Sequence, residues 1–226
     1  MVYGRSYKGE ELRFEPSGGL LHASLILQDK ETDTYWSIME GEALAGELRG
    51  TSLVELASGV KARWSDWRAL HPDTLVLSVD GVEHQETSPY DNYFRSDRGF
   101  RGAEASDPRM TTKAPVYAFR LADRAYAVPF EAIAGGATFA VGARAVFLFR
   151  DPEAALFEST AGFLADGPFT HRDGRWRAPG GAVFDREAGT FLGGEGSAPV
   201  RLEGFDTFWF NWSMTHPDTA VLGATD

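Results

Sequence analysis

The chain contains no cysteine. That absence excludes disulfides, thiolate nucleophiles and zinc–thiolate centres. It does not fix a compartment, because secreted proteins can also lack cysteine. Long apolar runs are missing too; no stretch approaches the roughly 18 residues that a membrane-spanning helix needs. No signal-like apolar segment follows Met1-Val2-Tyr3-Gly4-Arg5. The chain as written is therefore expected in the cytoplasm, or secreted or periplasmic if residues precede Met1. Basic residues are in the minority, 22 Lys and Arg against 33 Asp and Glu, for a formal charge of −11. Such a surface repels nucleic acid and anionic membrane, so neither is expected as a partner.

Signature motifs are absent as well. There is no Gly-x-x-x-x-Gly-Lys-Ser/Thr phosphate loop, no Gly-x-Ser-x-Gly elbow and no Gly-x-Gly-x-x-Gly fingerprint. The five histidines, His22, His71, His84, His171 and His216, include no His-x-His or His-x-x-x-His pair. A metal site would have to be assembled from distant segments. The sequence names no cofactor.

What is there is a repetition. Trp64-x-x-Trp67-x-x-x-His71-Pro72-Asp73-Thr74 returns as Trp209-x-x-Trp212-x-x-x-His216-Pro217-Asp218-Thr219. Tryptophan is rare, and six positions recurring in register read as an internal duplication. With 226 residues, 43% hydrophobic and 13% aromatic, the chain can bury a substantial core.

The flanking residues carry the duplication further. In the first copy, residues 11–14 alternate, Pro16-Ser17-Gly18-Gly19 reads as a turn, and residues 20–27 read as an apolar strand. Residues 29–34 form a polar hairpin turn before Thr34-Tyr35-Trp36-Ser37-Ile38, another strand. Trp64, Trp67 and His71 share one face of a short helix that Pro72 ends. Residues 74–79 then read as a strand. The second copy repeats this order. Asp185-Arg186-Glu187-Ala188-Gly189-Thr190-Phe191 mirrors the first hairpin, and a helix is predicted over 208–215. It also has an opening of strand candidates at 116–121, 125–130, 138–141 and 145–149. Aligning the copies puts Met1 near Ala155, so the counterpart of residues 114–154 is expected ahead of Met1. Three expectations follow: the chain starts late, a second subunit supplies those strands, or the first copy has evolved to do without them.

The predicted fold is mainly β, a β-rich α+β arrangement of two pseudo-symmetric halves with one short helix each. Residues 1–80 are expected to form the first repeat, without its opening strands. Residues 81–113 form an ordered connection anchored by aromatics, and 114–226 the second, more complete repeat. The halves are expected to pack as one unit with a cleft between them.

Several stretches together resemble the bacterial and archaeal domain of unknown function 3179. They are Glu15-Pro16-Ser17-Gly18-Gly19-Leu20, Trp36-Ser37, Gly41-Glu42-Ala43, Ala45-Gly46, both His-Pro-Asp-Thr motifs' first copy at 71–74, Asp107-Pro108-Arg109, Arg124-Ala125-Tyr126-Ala127-Val128-Pro129 and Phe208-Trp209-Phe210. The resemblance spans nearly the whole chain and implies no assigned chemistry. It also implies an N-terminal segment ending in a Cys-x-x-Cys-type stretch, which this chain lacks.

The candidate ligand-binding residues are His22, Trp36, Glu40, Glu42, His71 and His216. The two Trp-Trp-His faces suit a pseudo-symmetric pocket, but repeated core elements persist for packing, and indoles buried in each half are the stronger expectation. Asp73 and Asp218 suit turns in which the carboxylate accepts backbone N–H groups. His22 has no counterpart in the second copy, as a site working in one half requires; alternation places it on a strand face with Ser24. Glu40 and Glu42 flank Gly41 and could form an acid/base pair, although a polar turn on an acidic protein is the stronger expectation. The foremost functional reading is a small ligand or metal ion bound in the cleft. The alternatives are a hydrolase or lyase using His and carboxylate chemistry, and an interaction protein, a homodimer for example, that pairs through a strand edge at residues 12–27.

Overall fold

The computed structural model describes residues 2–56, 59–77, 90–156 and 158–223. It is mainly β. In the first half, Ser6–Tyr7 (β1) and Glu10–Glu11 (β2) make a small hairpin. Phe14–Leu21 (β3), Ser24–Asp29 (β4), Tyr35–Ser37 (β5) and Ala43–Ala45 (β6) follow as one antiparallel meander. Its core is small: Leu12, Trp36 and Ala43 are buried, with Tyr7, Phe14, Leu27, Leu48 and Leu53 around them. Trp64–Leu70 (α1) stands beyond this sheet and Asp91–Arg95 (α2) lies in the connection.

One predicted boundary moves. The chain reverses at His22-Ala23, whereas residues 20–27 read as a single strand in the sequence. Both turn residues have positive φ, 50° and 58°, as a two-residue hairpin of the primed kind demands. Asn and Gly usually supply that conformation, so His-Ala inside an apolar run conceals it. Pro16-Ser17-Gly18-Gly19 is no turn but part of β3, where the register against β4 shifts between Pro16 and Leu20. Gly18, at φ 81°, takes up that irregularity.

The second half is layered. Pro115–Leu121 (β7) and Arg124–Pro129 (β8) pair as a hairpin. Ala137–Val141 (β9), Arg144–Phe149 (β10) and Ala161–Ala165 (β11) form a second sheet. A third contains Thr170–Arg172 (β12), Arg175–Arg177 (β13), Val183–Asp185 (β14) and Thr190–Leu192 (β15). Val200–Arg201 (β16) joins β11, and Gly204–Phe208 (β17) joins β7. Trp209–Thr215 (α3) follows, and Ala220–Val221 (β18) pairs in parallel with β8.

Alternation assigns each strand's faces. Tyr117, Phe119, Tyr126 and Val128 meet Val146, Leu148 and Leu164 between the first two sheets. The opposite face of β10, Phe147 and Phe149, packs with Phe163, Phe169 and Phe184 against the third. The opposite face of β7 and β8, Val116, Ala118 and Ala127, receives Trp209 and Trp212 of α3 together with Met39 from the first half. Strands covered on both sides read as continuous apolar runs, which is why 116–121 and 145–149 were legible as strands.

The predicted helices end where Pro72 and Pro217 require. His71 and His216 leave the helical region at φ −130°, ψ 69° and φ −126°, ψ 76°. Residues 74–77 form no strand, unlike the sequence-based expectation; 78–79 lie outside the described residues, as does His84. The described part of the connection, residues 90–113, is anchored to α3. Trp209 Nε1 donates to the Asp107 carbonyl at 2.8 Å, and Gly99 sits so close to the Phe210 ring that a Cβ there would fall 2.8 Å from it.

Candidate functional site

The two halves meet along a polar cleft of about 340 Å³. Val2, Glu55, Leu56 and residues 59–61 line one side; Tyr117, Ser159, Thr160, Arg201, Leu202 and residues 204–206 line the other. Backbone stitching holds the sides together. Lys61 N–H donates to Ser159 Oγ at 2.7 Å, and Ser159 N–H donates to the Lys61 carbonyl at 2.9 Å. Lys61 Nζ reaches the Asp206 carbonyl at 3.3 Å, and Arg63 pairs with Glu158.

The side chains in this cleft are positioned by strands. Asp206, on β17, accepts from Thr160 N–H at 3.0 Å and from Thr160 Oγ1 at 2.6 Å. Tyr117 projects from β7, and its hydroxyl donates to the Leu202 carbonyl at 3.3 Å. Glycine is required on both flanks of that hydroxyl, since a Cβ at Gly162 or Gly204 would lie 2.6 Å from it. Burial first, then the Asp206 charge, pushes the phenol's pKa up, so it stays a neutral donor. Arg201 lies over the Phe163 ring, 5.4 Å from its centroid.

Glu55 is a cleft carboxylate with perturbed electrostatics. It is half-buried, and desolvation raises its carboxyl pKa, with Glu203 adding to the shift and Arg120 opposing it. Glu55 also lines an adjoining hollow of about 210 Å³ shared with Arg120, Asp123 and Glu203. At the other end, Lys61 and Asp206 border a more apolar hollow of about 250 Å³ containing Phe94, Phe130 and Phe208. Glu55 is thus shared by the cleft and the first hollow, and Lys61 and Asp206 by the cleft and the second.

None of the six residues singled out from sequence lines the cleft or either hollow. His22 and His216 do come near each other, one from each half. Asn211 of α3 clasps the His22 turn, donating to Ser24 Oγ at 2.7 Å and to the His22 carbonyl at 3.3 Å. Trp36 is core; its indole donates to Asp29 at 2.8 Å. Glu40 lies close enough to Tyr3 to help raise the pKa of that phenol, after burial and Glu55. Glu42 is exposed and bridges Ser52. His71 is exposed, its ring 4.1 Å from Trp67. Among the described residues, no three of His, Asp and Glu converge as a metal ion needs.

The chain belongs to the family described as "Protein of unknown function (DUF3179)". The family model matches residues 1–219. No curated protein matches the chain, and no solved structure does. Membership of DUF3179 carries no reaction with it, so chemistry has to be argued from the residues. Among the described residues of this DUF3179 chain, no helix is long and apolar enough to cross a membrane.

His216 of the DUF3179 chain predicts a pH effect. His22 Nδ1 and His216 Nε2 are buried atoms without a hydrogen-bond partner among the described residues. Burial first, then the Arg120 and His22 charges, lowers the His216 pKa from the usual 6.5 to about 4. Between those values the unfolded chain binds a proton that the folded chain excludes. Stability is therefore full above pH 6.5 and declines as pH falls towards 4. For a partly buried ring, screening reduces the loss to about 1–2 kcal/mol. Urea unfolding at pH 7 and pH 4.5 should show this loss, and His216→Gln should shrink it. An undiminished loss in that variant would assign the effect to other groups.

Proposed function

We propose that the chain is a binding module that holds a small polar molecule in the groove between its halves. The observation that carries this reading is the cleft itself, open and of ligand size, with donors and acceptors of both signs converging from separate segments. Lys61 and Arg201 offer positive charge, Glu55 and Asp206 negative charge, and Ser159 a hydroxyl. That balance suits a zwitterionic or neutral polar ligand. The apolar hollow beyond Lys61 accommodates a hydrophobic substituent. A metal ion as the ligand has less support, for want of a convergent donor set.

A native mass spectrum of the purified chain, before and after mild denaturation and with elemental analysis, tests the proposal. A small molecule released on denaturation identifies the ligand class. Arg201→Ala should then weaken binding of that molecule by roughly tenfold, about 1.4 kcal/mol. Undiminished binding in Arg201→Ala would move the site out of the cleft.

One observation favours a second reading, a hydrolase or lyase. Glu55 lies in a cleft and burial shifts its pKa upward, the direction in which a general acid is tuned. In that reading the acid/base role falls to Glu55 rather than to His22 or Glu42. Turnover of a ligand released from the chain, abolished in Glu55→Gln, would favour it over simple binding.

A further inference from the structure

The two Trp-Trp-His motifs have the same local structure and opposite surroundings. In each, the second indole donates to the threonine seven residues on, Trp67 to Thr74 at 3.0 Å and Trp212 to Thr219 at 2.8 Å. In each, the histidine N–H donates to that tryptophan's carbonyl at 2.8 Å, and the threonine N–H to the histidine carbonyl at 3.1 Å. Ring centroids of the Trp-His pair are 4.1 Å apart in both. Yet Trp209 and Trp212 are 0% and 1% exposed, whereas Trp64 and Trp67 are 49% and 38% exposed.

The residues after each motif diverge in the same way. Ala220 and Val221 pair in parallel with Tyr126 and Ala127 of β8, and Leu222 N–H donates to the Ala127 carbonyl at 2.9 Å. Their counterparts Leu75, Val76 and Leu77 belong to no strand and stand in solvent, Leu75 at 94% and Leu77 at 90% exposed. Residues 64–77 thus present two indoles and four further apolar side chains, and among the described residues the backbone of 75–77 has no partner. An apolar surface of that kind marks an interaction site.

The molecule itself shows what covers this shape. Around α3 the cover is the β7–β8 hairpin: Val116, Ala118 and Ala127 accept the indoles, and the outer edge of β8 accepts the segment after the motif. The β7–β8 hairpin is already occupied by α3 and β18, so it cannot also serve α1. We propose that residues 64–77 are a docking element for a separate polypeptide that presents an antiparallel β-hairpin. Small and β-branched side chains on its face would seat Trp64 and Trp67. Its free edge strand would pair in parallel with residues 75–77, an instance of strand addition.

The test uses the full chain and a head-to-tail cyclised peptide with the sequence of residues 114–130. That peptide contains no tryptophan, so indole emission reports on the protein. The expected result is saturable one-to-one binding with a blue shift of emission. Trp67→Ala and Leu77→Pro should each weaken it at least tenfold while leaving the melting curve unchanged, since both positions are exposed. Absence of binding at millimolar peptide would overturn the proposal, as would equal binding by both variants. Sedimentation of the protein alone gives a further arm. A wild-type dimer that both variants dissociate would assign the face to a second copy of this chain, and the separate polypeptide would be discarded.

Discussion

Truncating Trp212 to alanine is expected to cost about 4 kcal/mol of folding stability, and truncating Trp67 less than about 0.5 kcal/mol. The two residues are equivalent in sequence and in local hydrogen bonding, so the difference isolates burial. Trp212 lies in a cluster with Met39, Val116, Ala118 and Ala127, and Phe205 meets its ring at 5.8 Å. Its loss opens a void where α3 joins the two halves, and the surroundings are sheet backbone that cannot collapse into it. Thr219, 3% exposed, also loses the indole N–H that donates to its hydroxyl. Trp67 has no such surroundings, and water replaces its bond to Thr74. For a chain of this size the Trp212 variant should melt roughly 8–16 °C lower. Urea unfolding of both variants gives the comparison. Equal losses would mean that α1 is packed in solution as α3 is, and the docking element proposed above would have no free face.

The same pair of motifs shows what was legible in the sequence. Hydrogen bonds between neighbours in the chain are encoded by those neighbours, so the helix ends at Pro72 and Pro217 and the indole-to-threonine bonds repeat faithfully. Burial is decided by distant segments. Nothing within residues 64–74 says that, among the described residues, no sheet covers α1 as β7 and β8 cover α3. The core of the second half was legible for a different reason, because strands covered on both faces need unbroken apolar runs, as at residues 145–149.

The groove was not legible at all. Glu55, Lys61, Arg201 and Asp206 are ordinary charged residues in separate segments, and no spacing ties them together. Their convergence depends on contacts such as Lys61 with Ser159, 98 positions apart. His22 and His216 were singled out individually, and their proximity follows from the Asn211 clasp on the His22 turn. A two-residue turn made from His-Ala gave no sign of itself among apolar neighbours. The edge of β3 offered at residues 12–27 for pairing carries its own protections: Pro16 has no N–H to donate, and Glu15 is paired with Lys30. Leu75, Val76 and Leu77 have neither.

Asp29→Ala should be the most damaging change in the first half, about 3 kcal/mol or more. Asp29 is fully buried beneath a hairpin turn. Its carboxylate accepts from Trp36 Nε1 at 2.8 Å, Thr32 N–H at 2.6 Å and Thr32 Oγ1 at 2.9 Å. Burial alone would raise its pKa; these donors outweigh burial and hold the carboxyl below the usual range. Alanine would leave the indole and the Thr32 amide unpaired in the small core around Leu12, Trp36 and Ala43, which has little apolar burial in reserve. Because the folded-state pKa is depressed, the stabilisation is present above the unfolded carboxylate's pKa and is lost as pH falls through the folded value. The acid limb due to Asp29 therefore lies below about pH 4, beneath the window assigned to His216. The aligned residue in the second half, Asp185, supplies the control. Its carboxylate accepts Ala188 N–H at 2.8 Å, it is partly exposed, and Leu192 stands where Trp36 does. Asp185→Ala should cost about 1 kcal/mol. Denaturant unfolding of the two variants at pH 7 decides the matter: similar losses would show that the buried indole–carboxylate bond adds nothing beyond an ordinary turn.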